Sequence, residues 1–120
     1  MKIRHALLLS AALAFSGVAH GHAHVHKSEP ASNSTVSPEL KTVTLEFNEG
    51  VQISVLTLQK AEEPAQDLKP LPAAAAKVIT VPVPTLTPGS YVLKWRATGD
   101  DGHVVSGNVP FTVALARKTE

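Results

Sequence analysis

Histidine is unevenly distributed along this chain of 120 residues. Five of the six histidines precede residue 27, and His22, His24 and His26 alternate with small or apolar residues. In an extended chain these three side chains share one face, and imidazole is the commonest protein ligand for metals near neutral pH. Nitrogen-rich planar donor sets suit Cu(II). The spacing therefore indicates a copper site, although the same composition also fits a flexible tail that binds no specific metal.

The sixth histidine, His103, lies two residues after Asp101. On a strand, residues two apart point to the same side, so the carboxylate and the imidazole could both reach one ion. Asp-Gly is also a common turn pair, and the spacing by itself favours a turn at Asp101-Gly102. Because the first and last strands of a β-sandwich can lie close together, an N-terminal histidine could meet this segment.

The start of the chain has the layout of a secretory signal peptide, with positive charge, an apolar run over residues 6–15 and small residues after it. The apolar run is too short to span a bilayer, which takes roughly 20 residues. Small-residue rules permit three cleavage positions: before His20, before His22 and before His24. Each of them leaves histidine as the first residue, and its α-amine then offers a second metal donor beside the ring. We expect a protein exported from the cytoplasm.

Composition narrows the classes of function. There is no cysteine, which excludes disulfides, thiolate metal sites and cysteine nucleophiles. The formal net charge is +1 without a basic cluster, so neither nucleic acid nor an anionic membrane is expected as a partner. The sequence also lacks the G-x-S-x-G motif of serine hydrolases. These features favour a non-enzymatic single domain held together by one hydrophobic core.

Alternation of apolar and polar residues is the main structural signal after the leader. It predicts strands over residues 25–28, 42–48, 53–59, 78–83, 90–97 and 109–115. Short strands separated by turn signals indicate an all-β sandwich or Greek-key barrel with Trp95 in its core. Turns are predicted at residues 48–50 and 99–102. Residues 62–76 are predicted to hold a short edge strand or a loop, and Pro82 indicates an edge or bulge position.

Three separated segments share a further pattern: residues 22–31 (HAHVHKSEPA), 45–49 (LEFNE) and 95–107 (WRATGDDGHVVSG). The first places a histidine eight residues before Pro-Ala, and the third places Asp-x-His six residues after a tryptophan. Together they resemble the CopC-type periplasmic copper-resistance proteins. The resemblance implies a signal peptide over residues 1–21 and a copper-binding domain over residues 22–120. It also implies an immunoglobulin-like Greek-key β-sandwich or barrel of about seven strands.

The same resemblance implies which residues bind the metal. Cu(II) would be bound by the α-amine and ring of His22, by Asp101 and by His103. His24 would add a ligand or lie close by, and Glu49 would act near the copper without direct ligation. The implied protein is a periplasmic monomer for copper resistance or homeostasis. It would sequester Cu(II) or deliver it to an inner-membrane copper transporter of the CopD type, with no substrate and no catalytic step.

Some members of that family carry a methionine-rich loop for Cu(I), and this chain departs from them. Met1 is the only methionine and leaves with the leader, so a thioether site for Cu(I) is not expected. Two other functions stay open: an immunoglobulin-like binding module with incidental histidines, and a copper-dependent oxidative enzyme with an N-terminal copper histidine. The enzyme is disfavoured because the chain has one Trp and one Tyr and shows no aromatic binding platform.

Overall fold

The computed structural model describes residues 22–115, and the predicted signal peptide, residues 1–21, lies outside them. The described part of the chain is all-β. Its seven strands are β1 (Val25–Glu29), β2 (Ser34–Val36), β3 (Thr42–Lys60), β4 (Gln66–Asp67), β5 (Ala76–Pro82), β6 (Gly89–Gly99) and β7 (Val104–Val113). Within the same residues no helix is long and apolar enough to cross a membrane.

One long strand, β3, organises the fold. β1 pairs antiparallel with β3 as far as Phe47, and β6 pairs antiparallel with β3 from Val51 onwards. β4 and β5 also pair with β3, β7 pairs antiparallel with β6, and β2 pairs parallel with β7. β3 thereby joins the two halves of one curled sheet. The expected immunoglobulin-like Greek-key β-sandwich of about seven strands is confirmed.

The alternation predicted for β6 is confirmed by its burial. The side chains on its inner face are all buried: Tyr91, Leu93, Trp95 and Ala97. The Trp95 ring packs edge-on against Phe47, with centroids 5.1 Å apart and planes at 89°, which is a favoured aromatic geometry. Gly107 pairs with Trp95 across β6 and β7, and a Cβ at Gly107 would lie 2.6 Å from Trp95 Cζ2. The indole is therefore a core group whose position depends on this glycine.

The turn predicted at residues 48–50 is wrong, because β3 runs through these residues without a break. The composition Asn-Glu-Gly has the character of a turn, but pairing decides the conformation. The pairing between β3 and β5 shifts register between Glu46 and Val51. Over the same stretch the antiparallel partner of β3 changes from β1 to β6. The turn-like residues thus accommodate an irregularity inside a strand.

Other expectations are met or corrected at the sheet edges. Residues 62–76 contain the short edge strand β4, and Pro82 ends β5, which pairs with β3 alone. The last strand ends at Val113, so Leu115 is exposed and the prediction of a strand to residue 115 was too long. β2 was not predicted, because three residues are too few to show alternation.

Candidate metal centre

A tight turn joins β6 to β7. The Gly99 N–H donates to the His103 carbonyl oxygen, and the Gly102 N–H donates to the Gly99 carbonyl oxygen, both at 3.0 Å. Gly102 has a φ of 80°, a left-handed conformation that glycine adopts without a steric penalty. A type I turn followed by a left-handed glycine is a common hairpin connection. The turn predicted at residues 99–102 is therefore confirmed, and it carries Asp101 at its tip.

The Asp101 carboxylate is held by His103 from two sides. Asp101 Oδ1 accepts a hydrogen bond from the His103 main-chain N–H at 3.0 Å, and Oδ2 lies 2.7 Å from His103 Nδ1. The side-chain contact with His103, followed by the main-chain one, lowers the pKa of Asp101 from 3.8 to about 2. The carboxylate is therefore negatively charged at any physiological pH and ready to accept a cation.

His22 completes a three-residue cluster at this turn. Its Nδ1 lies 3.7 Å from Asp101 Oδ2, and its ring meets the His103 ring edge-on with centroids 4.9 Å apart. The buried side chain of Ala23 anchors the segment that carries His22. Of residues 22–115, His22, Asp101 and His103 form the one group of three or more potential metal ligands with ligand atoms all within 4.8 Å of one another.

These separations suit a transition-metal ion. Metal–nitrogen bonds in proteins are about 2.0–2.1 Å long, so ligands on opposite sides of an ion are about 4 Å apart. The donor atoms of the cluster would need only small movements to reach that spacing. All three side chains are exposed, so an ion would reach them directly from solvent. Two imidazoles and one carboxylate form a mixed nitrogen and oxygen set of the kind that Cu(II) accepts.

The other expected site residues lie near the cluster but outside it. A Cβ at Gly99 would lie 3.0 Å from Glu49 Oε1 and 3.3 Å from Asp101 Oδ1, so the two carboxylates approach the same point. His24 Nδ1 lies 3.4 Å from the His22 carbonyl oxygen and is not part of the three-residue group. His26 is paired instead with Glu46 on β3, with His26 Nε2 3.4 Å from Glu46 Oε1.

Comparison with known proteins identifies the family. Residues 25–114, most of the chain, match the model of the CopC domain. The chain belongs to the CopC domain family. It is 31% identical over 117 residues to copper resistance protein C of Xanthomonas campestris pv. juglandis, covering 89% of this chain and 91% of that protein. It is 29% identical over 100 residues to the copper transport protein CutJ of Bacillus subtilis, covering 79% of this chain but 18% of CutJ.

A solved structure agrees with the family assignment. The crystal structure of CopC from Methylosinus trichosporium OB3b superimposes with a TM-score of 0.70 at 27% identity, covering 82% of this chain and all of that one. The resemblance inferred from the three sequence segments is confirmed. Membership of the CopC family, whose named relatives are copper resistance and copper transport proteins, gives this chain a copper-related function.

One contact beside the three-residue cluster was not predicted from the sequence. The His24 main-chain N–H donates to Asn48 Oδ1 at 2.7 Å. The sequence marks Asn48 only as part of a turn-like triplet, and the contact depends on how β1 is aligned with β3. Such a contact between residues 24 positions apart has no signature in spacing or composition.

Proposed function

We propose that the mature chain, beginning at His22, is a periplasmic carrier that binds one Cu(II) ion through His22, Asp101 and His103. Export by the signal peptide over residues 1–21 produces that first residue. The copper is held for resistance or homeostasis, and the protein either sequesters it or passes it on. No catalytic step is part of this proposal.

The observation that carries the proposal is the convergence of the three side chains. Their ligand atoms come from two segments about 80 residues apart in sequence, yet all lie within 4.8 Å of one another. A flexible histidine tail without a site would not require a side chain at residue 22 to meet the β6–β7 turn. The copper-related function of the family supports copper as the ion that this cluster binds.

Each ligand has a distinct contribution. With cleavage before His22, the free α-amine and the ring of that residue can bind the same ion and close a chelate ring. His103 supplies a second imidazole, and the carboxylate of Asp101 supplies negative charge that offsets part of the charge of Cu(II). A set dominated by nitrogen with one carboxylate oxygen favours Cu(II) over Mg²⁺ or Ca²⁺, which prefer oxygen ligands.

Glu49 is proposed to support the centre without binding the ion. Its carboxylate shares the space beside Gly99 with Asp101, and this nearness supports a role next to the proposed ligands. A carboxylate there can orient a water or an amine that binds the metal. The Glu49→Gln substitution should weaken Cu(II) binding by about tenfold, at the low end of the usual effect of such outer groups. A chelator-competition titration would measure the change.

Delivery to a membrane partner is proposed on two grounds. The three ligands are exposed, so a partner could approach the ion without unfolding the carrier. In addition, the chain matches a part of CutJ, a much longer protein named for copper transport. A separate CopC-family monomer could present copper to an inner-membrane transporter of the CopD type. Copper uptake by cells that express such a transporter, with and without the carrier, would distinguish delivery from sequestration.

The proposed site is tested by Cu(II) titration of the mature protein with a competing chelator, followed by electron paramagnetic resonance. One tight Cu(II) with nitrogen ligands is expected. Adding a single glycine before His22 should weaken binding, because it displaces the free amine from the histidine. His26→Ala is the matched control, since His26 pairs with Glu46 outside the cluster. Equal, weak binding by the native and extended proteins would overturn the proposal.

A further inference from the structure

Two hydrogen bonds join the main chain of His24 to Asn48. The His24 N–H donates to Asn48 Oδ1 at 2.7 Å, and the Asn48 N–H donates to the His24 carbonyl oxygen at 3.1 Å. This pair lies one residue beyond Val25 and Phe47, where the paired register of β1 and β3 ends. The Asn48 side chain therefore takes the place of a main-chain acceptor and extends the ladder towards the metal centre.

The mature start proposed above has a competing way to bind copper. A chain that begins His-Ala-His offers an α-amine, two main-chain amide nitrogens and the ring of the third residue. Cu(II) or Ni(II) can replace the two amide protons, which pass to solvent, and bind these four nitrogens in one plane. This arrangement, called here the amide chelate, uses His24 and takes no ligand from Asp101 or His103.

We propose that Asn48 is a positioning residue that disfavours the amide chelate and thereby biases Cu(II) towards His22, Asp101 and His103. The inference rests on the proposed function and specifies how the metal site is selected. The His24 amide proton is already donated to Asn48, so a metal must break that bond to take its place. The carbonyl of the same residue is held by the Asn48 N–H, which keeps the peptide extended.

The neighbouring residue acts in the same direction. Ala23 is 5% exposed, and its Cβ lies 3.4 Å from where a Cβ on Gly99 would be. Wrapping residues 22–24 around an ion would withdraw this side chain from the core. The His24 ring is exposed, and its Nδ1 has only a long contact of 3.4 Å with the His22 carbonyl oxygen, so the main-chain contacts are the larger obstacle to the amide chelate.

Nickel alone is the sharpest probe, because the amide chelate gives square-planar, diamagnetic Ni(II). Mature wild-type protein would be compared with Asn48→Leu, which removes the acceptor, and with Asn48→Asp, which retains it. We expect Asn48→Leu to bind Ni(II) about two- to tenfold more tightly, the effect of losing one hydrogen bond, and to show the diamagnetic signal. Asn48→Asp should behave like wild type, as should Asn108→Leu, a control at an exposed asparagine of β7.

Two further variants make the test decisive. Asn48→Leu combined with His24→Gln should lose the gained Ni(II) signal, because the fourth nitrogen is missing. Thermal unfolding of the metal-free proteins checks that each variant folds, and Asn48→Ala replaces Asn48→Leu if that protein does not. Ni(II) and Cu(II) spectra of a folded Asn48→Leu or Asn48→Ala protein that match wild type would overturn the role of Asn48.

The proposed function fails by a different result. If the Cu(II) spectrum of wild type were unchanged by His103→Ala, the three-residue centre would be wrong, whatever Asn48 does. If His103→Ala changes that spectrum while the Asn48 variants give the same spectra as wild type, the three-residue centre is supported and the Asn48 proposal alone is overturned.

Discussion

The turn that carries Asp101 and His103 and the segment that carries His22 reach the same point by different means. The turn is closed by its own hydrogen bonds, and its carboxylate is held by the next histidine within two residues. His22 depends on distant contacts: Ala23 buried in the core and His24 bonded to Asn48 on β3. One half of the proposed centre is organised locally, whereas the other half requires the whole fold and the proposed cleavage before His22.

This difference has a consequence for binding. A locally closed turn loses little conformational entropy when an ion arrives, because its donors are already held. The N-terminal half must keep its amine and ring in one orientation by means of the β1–β3 pairing. We therefore expect changes in the β1–β3 pairing to weaken copper binding through position, and His103 substitutions in the turn to weaken it through loss of a donor.

Acid should produce the largest effect on binding, and the two halves should respond differently. The α-amine and the imidazole rings bind Cu(II) only after they lose their protons, so protons compete with the metal at these donors. Asp101, with a pKa of about 2, stays charged throughout and adds nothing to the pH dependence. Affinity should fall by at least about 1,000-fold from about pH 8 to about pH 5, as protons compete with the metal.

A glycine added before His22 makes this comparison quantitative. In the extended protein, Cu(II) affinity should change less steeply with pH, by up to about tenfold in affinity per pH unit. The reason is that one proton fewer competes with the metal. Chelator-competition titrations at several pH values measure both slopes. Parallel slopes in the native and extended proteins would mean that the amine does not bind the metal.

Removing the donor from the turn is expected to have the next largest effect. His103→Ala deletes one imidazole and also removes the ring contact to Asp101 Oδ2, while the main-chain N–H of residue 103 can still donate to Asp101 Oδ1. Cu(II) affinity should fall by more than about 100-fold, the upper range for the loss of outer-sphere groups alone. Competition titration measures the loss, with His26→Ala as the histidine control. A loss below about tenfold would place the main donors at the N-terminus instead.

The framework beneath the turn can be weakened without touching the site. Gly107→Ala would place a Cβ 2.6 Å from Trp95 Cζ2, so the indole or the β6–β7 backbone must move. Overpacking of this kind usually costs about 1–3 kcal/mol of unfolding free energy. Denaturant unfolding of the metal-free protein measures it. Because Gly107 lies outside the ligand cluster, Cu(II) affinity of the folded protein should change little, and a large change would show that the framework tunes the site.

The contrast between local and distant organisation also explains what the sequence predicted. The alternation of apolar and polar residues identified the buried face around Trp95, because successive side chains of a strand point to opposite faces of the sheet. The Asp-Gly turn was predictable for the same local reason. β2 and the continuous path of β3 through residues 48–50 were not, since both follow from pairing with distant strands. The contact between Asn48 and His24 was not predictable from the sequence, because it depends on the alignment of β1 with β3.

The smallest expected effect tests whether the turn is truly preformed. Gly102 has a φ of 80°, and beyond its two chain neighbours no heavy atom lies within 4 Å of the position of an added Cβ. Gly102→Ala should therefore introduce backbone strain without a clash, lowering the unfolding free energy by about 1–2 kcal/mol. If the turn has one conformation with and without copper, that strain is equal in both states and Cu(II) affinity is unchanged.

Two measurements decide this last case: denaturant unfolding of the metal-free protein and Cu(II) competition titration of the same variant. A preformed turn is supported if the variant is less stable but binds Cu(II) within about threefold of wild type. A threefold change in affinity is less than about 1 kcal/mol of binding free energy. A clear loss of affinity would mean that copper binding forces Gly102 further into the left-handed region, and a gain would mean that copper relieves it. Either result would show that the turn is completed only when the ion binds.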